Sequence, residues 1–281
     1  MDAFLPDLRD PLSYPFWLIV VSAAVFALER LRPWRGSQRV LRPQIGQDLF
    51  WLVFNGHFAG VLLALLVERG LAWAEPGFQQ IEAVRLIASR PLWFQLVLFF
   101  VLKDLLEWGV HNLLHRVPWL WEFHKVHHSI EELDWIGSFR FHWMEIVVYR
   151  GLTYIPLAVL GVDGRVLLAI AVLATLIGHL NHSNLCLSWG PLRYVLNSPR
   201  MHVWHHDHEW PADRPKGVNF GISLSLWDWL FRTAWWPSAE ERPDQQPSRL
   251  GFEGMDRYPR ALIDRLAYPV SRIWLDRPWR A

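Results

Sequence analysis

Three short histidine runs constrain this 281-residue chain more than any other feature. They are His111-x3-His115, His124-x2-His127-His128 and, far downstream, His202-x2-His205-His206. An α-helix turns about 100° per residue, so His111 and His115 lie about 40° apart on one face. Each His-x-x-His-His run, if helical, holds its three imidazoles within about 100°. Thirteen histidines in 281 residues would yield such triplets on the order of 0.03 times by chance, and the chain has two. A surface cluster accounts for one run but not for three. Each run presents nitrogen donors on one side, as a metal site requires, so the fold has to bring distant segments together.

Composition says in what medium. The chain is 52% hydrophobic and 15% aromatic, with 19 Trp, greasier than a soluble domain of this size. Such rings favour membrane interfaces and apolar pockets. A formal net charge of +1 gives no reason to expect nucleic acid. The single cysteine, Cys186, excludes an internal disulfide framework and a thiolate-held iron–sulfur cluster. Electrons for redox chemistry would come from another molecule or from a cofactor not held by thiolates.

Met1 to Ser13 lacks the basic start of a signal peptide. Tyr14 to Leu28 reads as a first membrane helix and Leu49 to Val67 as a second. His57 on the latter reads as a packing or hydrogen-bonding residue. Phe78 to Ser89 suggests a helix lying in the interface. Leu92 to Leu102 starts a third span whose second half becomes the histidine helix. Trp143 to Leu160 and Arg165 to Gly178 form a hairpin around Gly161-Val-Asp-Gly164, each arm near the lower length for spanning. Arg30, Arg32, Arg35, Arg39 and Arg42 place the first loop in the cytoplasm, and counting spans then delivers every histidine cluster to that side. After Trp236 the chain turns polar and reads as a cytoplasmic tail covering the site, with helical signal from Arg260 to Arg272. There is no internal repeat, Gly-rich phosphate loop or dinucleotide fingerprint. The expected fold is all-α: a polytopic membrane helical bundle with a cytoplasmic helical cap carrying a histidine-rich dimetal site. Its units are 1–91 (membrane and interfacial helices), 92–236 (the histidine domain) and 237–281 (the tail).

Eight box histidines are too many for one tetrahedral zinc but suit two metals with about four nitrogens each. His182 is a natural ninth ligand. His179 shares its face, and ligation or a hydrogen-bonded pair near a helix end would suit either residue. The chain has no Glu-x-x-His pair of the carboxylate-bridged di-iron bundles, so an all-imidazole pair of metals is the reading. Imidazole alone suits Zn, Cu, Fe or Ni. Asp104 falls within about 40° of the helix histidines and could accept an imidazole N–H, fixing its tautomer; Glu107 could do the same. Ser198-Pro199 marks a helix start, with Ser198 as cap and Pro199 at the first position. His208 points off the face of its neighbours.

From about Val97 to Thr233 these residues resemble the fatty acid hydroxylase/sterol desaturase superfamily of membrane di-iron enzymes. The three histidine boxes stand in the family order and spacing. Phe139-Arg-Phe-His142-Trp-Met-Glu145 resembles its Arg-x-His-Pro-x-Glu segment, and His182-Ser-Asn184-Leu its His-x-Asn-Leu turn. Asn219-Phe-Gly221 and Ser225-Leu-Trp227-Asp228-Trp-Leu-Phe231-Arg-Thr233 resemble the segment that closes the domain. Trp143 replaces the usual proline and Arg232 a usual glycine; neither removes a ligand. The resemblance implies two iron ions, molecular oxygen as co-substrate and a lipid substrate. It also implies an external electron donor: a b-type cytochrome, ferredoxin or rubredoxin. It implies His111, His115, His124, His127, His128, His182, His202, His205 and His206 as ligands, with His142, His179, Asn219 and Asp228 as supporting or alternate residues beside Asp104 and Glu107. The expected reaction is hydroxylation of an unactivated C–H, or its desaturation, in an inner or plasma membrane if bacterial and otherwise in the endoplasmic reticulum. Outside that class, the same histidines would suit a metal transporter or store, or a zinc hydrolase.

Overall fold

The computed structural model describes residues 8–58, 61, 65, 86, 87, 89–238 and 246–274. Among them there is no β-strand, only isolated bridges. The helices are α1 (Tyr14–Leu31), α2 (Ile45–Val53), α3 (Leu92–Arg116), α4 (Pro118–His128), α5 (Trp143–Val159), α6 (Gly164–His182), α7 (Pro199–His205), α8 (Leu226–Leu230) and α9 (Leu262–Trp274). Of these, α1 and α6 are long and apolar enough to cross a membrane.

The third apolar run and the first histidine pair form one uninterrupted helix, α3, of 25 residues, about 37 Å long. One pair of its charges is matched within the helix, with Lys103 Nζ 2.6 Å from Glu107 Oε1. Glu107 therefore faces a lysine rather than an imidazole, because the i, i+4 spacing lets the pair neutralise itself inside the bundle. The expected hairpin is α5 and α6. Gly161 turns it with φ 70°, and Asp163 caps α6 through the Arg165 N–H. Phe99 of α3, Leu157 of α5 and Val166 and Ile170 of α6 make its buried core.

The second apolar run departs from expectation. Its helix begins at Ile45, after Gln44 in a left-handed conformation, and opens into a π turn at Phe54–Phe58. Most of the rest of that run, and most of the interfacial helix expected at Phe78–Ser89, lie outside the described residues. His57 sits on the π turn against Phe58.

Helices α1 and α6 run in the same direction. Tyr14, Ser22 and Glu29 bond in turn to Thr175, His179 and Asn184. The Arg-rich segment after α1 consequently packs against the histidine-bearing end. The Arg35 N–H donates to Asn184 Oδ1, and Arg42 Nη2 lies 2.5 Å from Asp134 Oδ1. At that end a cap of short helices is held by two buried clusters. One joins Ile130, Leu133, Val203, Trp204 and Leu250; the other joins Phe252, Met255 and Tyr258, with Trp121 of α4 and Tyr268 of α9 packed on it.

Candidate metal centre

Helices α3, α4, α6 and α7 end at one place, and each brings histidines in its last turn. Helix α7 starts as its sequence requires: the Ser198 hydroxyl accepts from the Met201 N–H, and Pro199 occupies the first turn. Nine of the thirteen histidines converge, all buried. His111, His115, His124, His128 and His205 form one group; His127, His182, His202 and His206 form the other. Within each group the nearest nitrogens lie within 4.8 Å of one another.

The His-x-x-His-His runs do not each serve one group. In both, the i and i+4 histidines (His124 with His128, His202 with His206) stay together while the intervening i+3 residue, His127 or His205, crosses to the other group. The third imidazole leans about 60° to one side of the pair, and in both runs that side faces the other group.

The tautomers can be deduced, since an oxygen acceptor requires an N–H. His111 Nδ1 is 2.8 Å from the Phe220 carbonyl and His124 Nδ1 2.6 Å from Glu145 Oε2. A neutral ring carries one N–H, so both Nε2 atoms present lone pairs, and they face each other at 3.2 Å. In the second group His127 Nδ1 donates to the Arg140 carbonyl at 3.1 Å and His182 Nδ1 to the Gly178 carbonyl at 2.9 Å. Their Nε2 lone pairs also face each other, at 3.3 Å. His202 Nε2 approaches His182 and His206 at 3.2 Å each. His205 donates Nδ1 to the Val218 carbonyl, which leaves its buried Nε2 without a partner.

Lone pairs held face to face repel unless a cation lies between them. Nitrogens about 2.0–2.1 Å from one metal stand roughly 3 Å apart, as these do. Protonation is the other remedy, but burial opposes it. Burial first, and the neighbouring imidazoles second, hold His127, His128, His202, His205 and His206 well below the ordinary histidine value. Burial pushes His124 down to about 3. Neutral imidazole is also the form that binds metal.

Around the rings, backbone carbonyls do most of the orienting. Val218 and Phe220 serve the five-histidine group, and the segment carrying them is pinned by residues that touch no imidazole. Asp228 accepts from the Phe220 and Gly221 N–H groups, Trp108 Nε1 and the Thr233 hydroxyl. Asn219, at φ 55°, donates to the Met201 and Trp235 carbonyls. Asp104 accepts from the Ser223 and Leu224 N–H groups and from Trp227 Nε1. The expected direct contact between Asp104 and a histidine is therefore replaced by an indirect one. Its position on the helix face is right, but unpaired loop N–H groups reach it first. A Cβ on Gly221 would stand 2.8 Å from the Asp228 carboxylate and collide with the Leu224 carbonyl, so the turn admits only glycine.

His142 and His179 lie outside both groups. His142 Nδ1 accepts from the Met144 N–H, capping α5, and its Nε2 donates to the Leu266 carbonyl. His179 sits between the Ser22 and Ser138 hydroxyls. His208 is likewise apart, its backbone N–H bonded to the Arg249 carbonyl. The contact the sequence reading missed is Glu145: it figured there only as a motif position, with nothing to show that it would reach His124 across 21 residues. The two departures from the family pattern also find their places. Trp143 stands first in α5, where proline is at home, and Arg232 holds φ 62°, a conformation that favours glycine.

Residues 96–233 match the family model described as fatty acid hydroxylase. The chain is similar to the ornithine lipid hydroxylase of Rhizobium tropici, 33% identical over 182 residues, covering 65% of this chain and 52% of that protein. It is 27% identical to the methylsterol monooxygenase of Aspergillus fumigatus over 158 residues, covering 54% of this chain and 51% of that protein. It is 26% identical to the alkylglycerol monooxygenase of Caenorhabditis elegans over 151 residues, covering 53% and 28%. The chain thus spans about half the length of the first and second of these relatives and less of the third. No solved structure matches it.

Proposed function

From a chain whose residues 96–233 belong to the fatty acid hydroxylase family, we propose an integral-membrane oxygenase that hydroxylates a lipid C–H with molecular oxygen. It binds two iron ions, one in each histidine group. The observation carrying this reading is the pair of opposed Nε2 lone pairs, His111 with His124 and His127 with His182. Each of those four rings is locked by an acceptor on its far nitrogen.

Iron, when bound, supplies the activation of oxygen and the abstraction of hydrogen. The chain's own residues do the rest. Glu145 and the carbonyls of Phe220, Arg140, Gly178 and Val218 keep five of the nine imidazoles in the ligating tautomer and orientation. Phe220, Phe141, Trp121 and Trp210 stand against His115 and His127 and keep bulk water from the rings. The exposed apolar residues of α1 and α6, among them Ile19, Val20, Phe26 and Leu173, support a substrate drawn from the membrane. One cysteine cannot hold an iron–sulfur cluster, and the family resemblance supports an external electron donor: a b-type cytochrome, ferredoxin or rubredoxin. The Arg-rich segment beside the site supports a cytoplasmic position for it.

The similarity to an ornithine lipid hydroxylase makes a lipid with an amino-acid headgroup the first substrate to try. The test is lipid profiling of cells with and without the gene, followed by turnover with purified protein, iron, oxygen and a donor. A species heavier by one oxygen atom is expected, absent in the His205→Ala variant although that protein still inserts. A species lighter by two hydrogens would make the reaction desaturation. Turnover without oxygen and reductant would refute an oxygenase.

A further inference from the structure

The five-histidine group is oriented by carbonyls from within residues 96–233, but the four-histidine group is not self-sufficient. His127 depends on Arg140 and Phe141. Its Nδ1 donates to the Arg140 carbonyl, and its ring stacks on Phe141 at 4.5 Å with an interplanar angle of 11°. The segment 139–141 belongs to no long helix, and both its flanking carbonyls and its guanidinium are held from α2 and its π turn, outside the region that matches the family. Asn55 Nδ2 donates to the carbonyls on both sides of Arg140, those of Phe139 and Phe141, at 2.9 Å each. Asp48 takes the Arg140 guanidinium in a two-pronged ion pair, Nε at 2.5 Å and Nη2 at 2.7 Å. Asp48 and Asn55 are 0% exposed and Arg140 is 1% exposed.

With Phe139, Phe141 and the Arg140 side chain fixed, the Arg140 carbonyl is the one left turned toward His127. The guanidinium also reaches the Ser129 carbonyl, one residue past His128, and Gln44 at the start of α2. The π turn is what brings Asn55 within range. At the neighbouring Gly56 a Cβ would stand 3.1 Å from Leu18 and 3.3 Å from the Phe139 ring, so α1, the π turn and residue 139 meet with no room to spare. π turns of this kind recur at functional sites.

We infer that Asp48 and Asn55 are positioning residues for the four-histidine metal: α2 clamps residues 139–141 so that His127 presents Nε2 to the His182, His202 and His206 group. The inference rests on the two-metal reading. It assigns to α2 and its π turn, outside the region that matches the family, a part in metal binding.

Titration of the full-length, detergent-purified protein with Co2+ tests it. Four nitrogens and five give Co2+ visible bands of different intensity, so the two groups can be told apart. Glu145→Gln, which touches only the five-histidine group, marks that group independently. Asn55→Ser, too short to span both carbonyls yet leaving every Asp48 ion pair intact, is expected to weaken Co2+ at the four-histidine group by at least about tenfold. The other group should change by less than about twofold, and Asn55→Ser/Glu145→Gln should weaken both. Asp48→Asn should reproduce the Asn55→Ser pattern. Asn55→Ser with unchanged affinities, or with equal losses at both groups, overturns the clamp. A wild-type protein that binds fewer than two Co2+ would instead remove the two-metal reading, and the clamp with it.

Discussion

Glu145→Gln isolates the contribution of one hydrogen bond to metal affinity. The Glu145 carboxylate accepts from His124 Nδ1 at 2.6 Å with His124 0% and Glu145 1% exposed, and its other oxygen lies 3.3 Å from the His142 N–H. A cation on His124 Nε2 favours the ionised carboxylate, and glutamine keeps the shape while removing that charge. A hydrogen bond to a charged group is worth about 1.5–3 kcal/mol and a neutral one about 0.5–1.5, so the exchange loses roughly 1–1.5 kcal/mol. The amide also has to choose. With its oxygen on His124, its NH2 opposes the His142 N–H. With its NH2 on His124, the ring proton moves to Nε2 and fills the ligating lone pair. Either adds about 1 kcal/mol, the scale of one lost hydrogen bond. The sum, about 2–2.5 kcal/mol, is a weakening of about 30- to 60-fold at roughly tenfold per 1.4 kcal/mol, within the 10–100-fold range for residues that orient metal ligands. Chelator competition on the purified protein, read metal by metal, measures it. The loss should fall on one of the two metals. Unchanged affinity, or a loss shared by both, would show that Glu145 does not set the His124 tautomer.

Two further outcomes follow from the geometry. Burial depresses His127, His128, His202, His205 and His206 in the folded chain. Their stabilisation is therefore present above the unfolded value of about 6.5 and lost as pH falls below it, by up to about 1.4 kcal/mol per pH unit for each ring. The metal-free protein should show a Tm that drops steeply between pH 7 and 5.5, whereas a flat profile would mean that those rings titrate freely. Arg232→Gly relieves about 1–2 kcal/mol of left-handed strain and returns about 0.4–1 kcal/mol of unfolded-state entropy. The variant should be more stable by roughly 0.5 kcal/mol in thermal melts, and a lower Tm would show that the Arg232 side chain makes a compensating contact.

How the histidines would be shared was beyond the sequence. Helical spacing put His124, His127 and His128 on one side of α4, and they are there. But whether an imidazole at i+3 joins its i and i+4 neighbours or the opposite group depends on how α4 and α7 meet. The supporting residues divide the same way. Asp104 was recognisable as a buried acid on the histidine face, yet its partner is a loop 119 residues away. His142, which the family resemblance implied as a supporting or alternate residue, caps a helix and lies outside both groups.

What local chemistry fixed was the inventory: apolar runs that become helices, Ser198-Pro199 opening α7, Gly161 and Asp163 turning the hairpin, and nine imidazoles at the right intervals. These depend on neighbours within a turn or two, and such neighbours are written side by side in the chain. Pairings across the molecule, such as Glu145 with His124 and Asn55 with residues 139 and 141, were settled only by tertiary packing. A buried polar group bonds to whichever partner the folded backbone brings within 3 Å, and no interval along the chain encodes that distance.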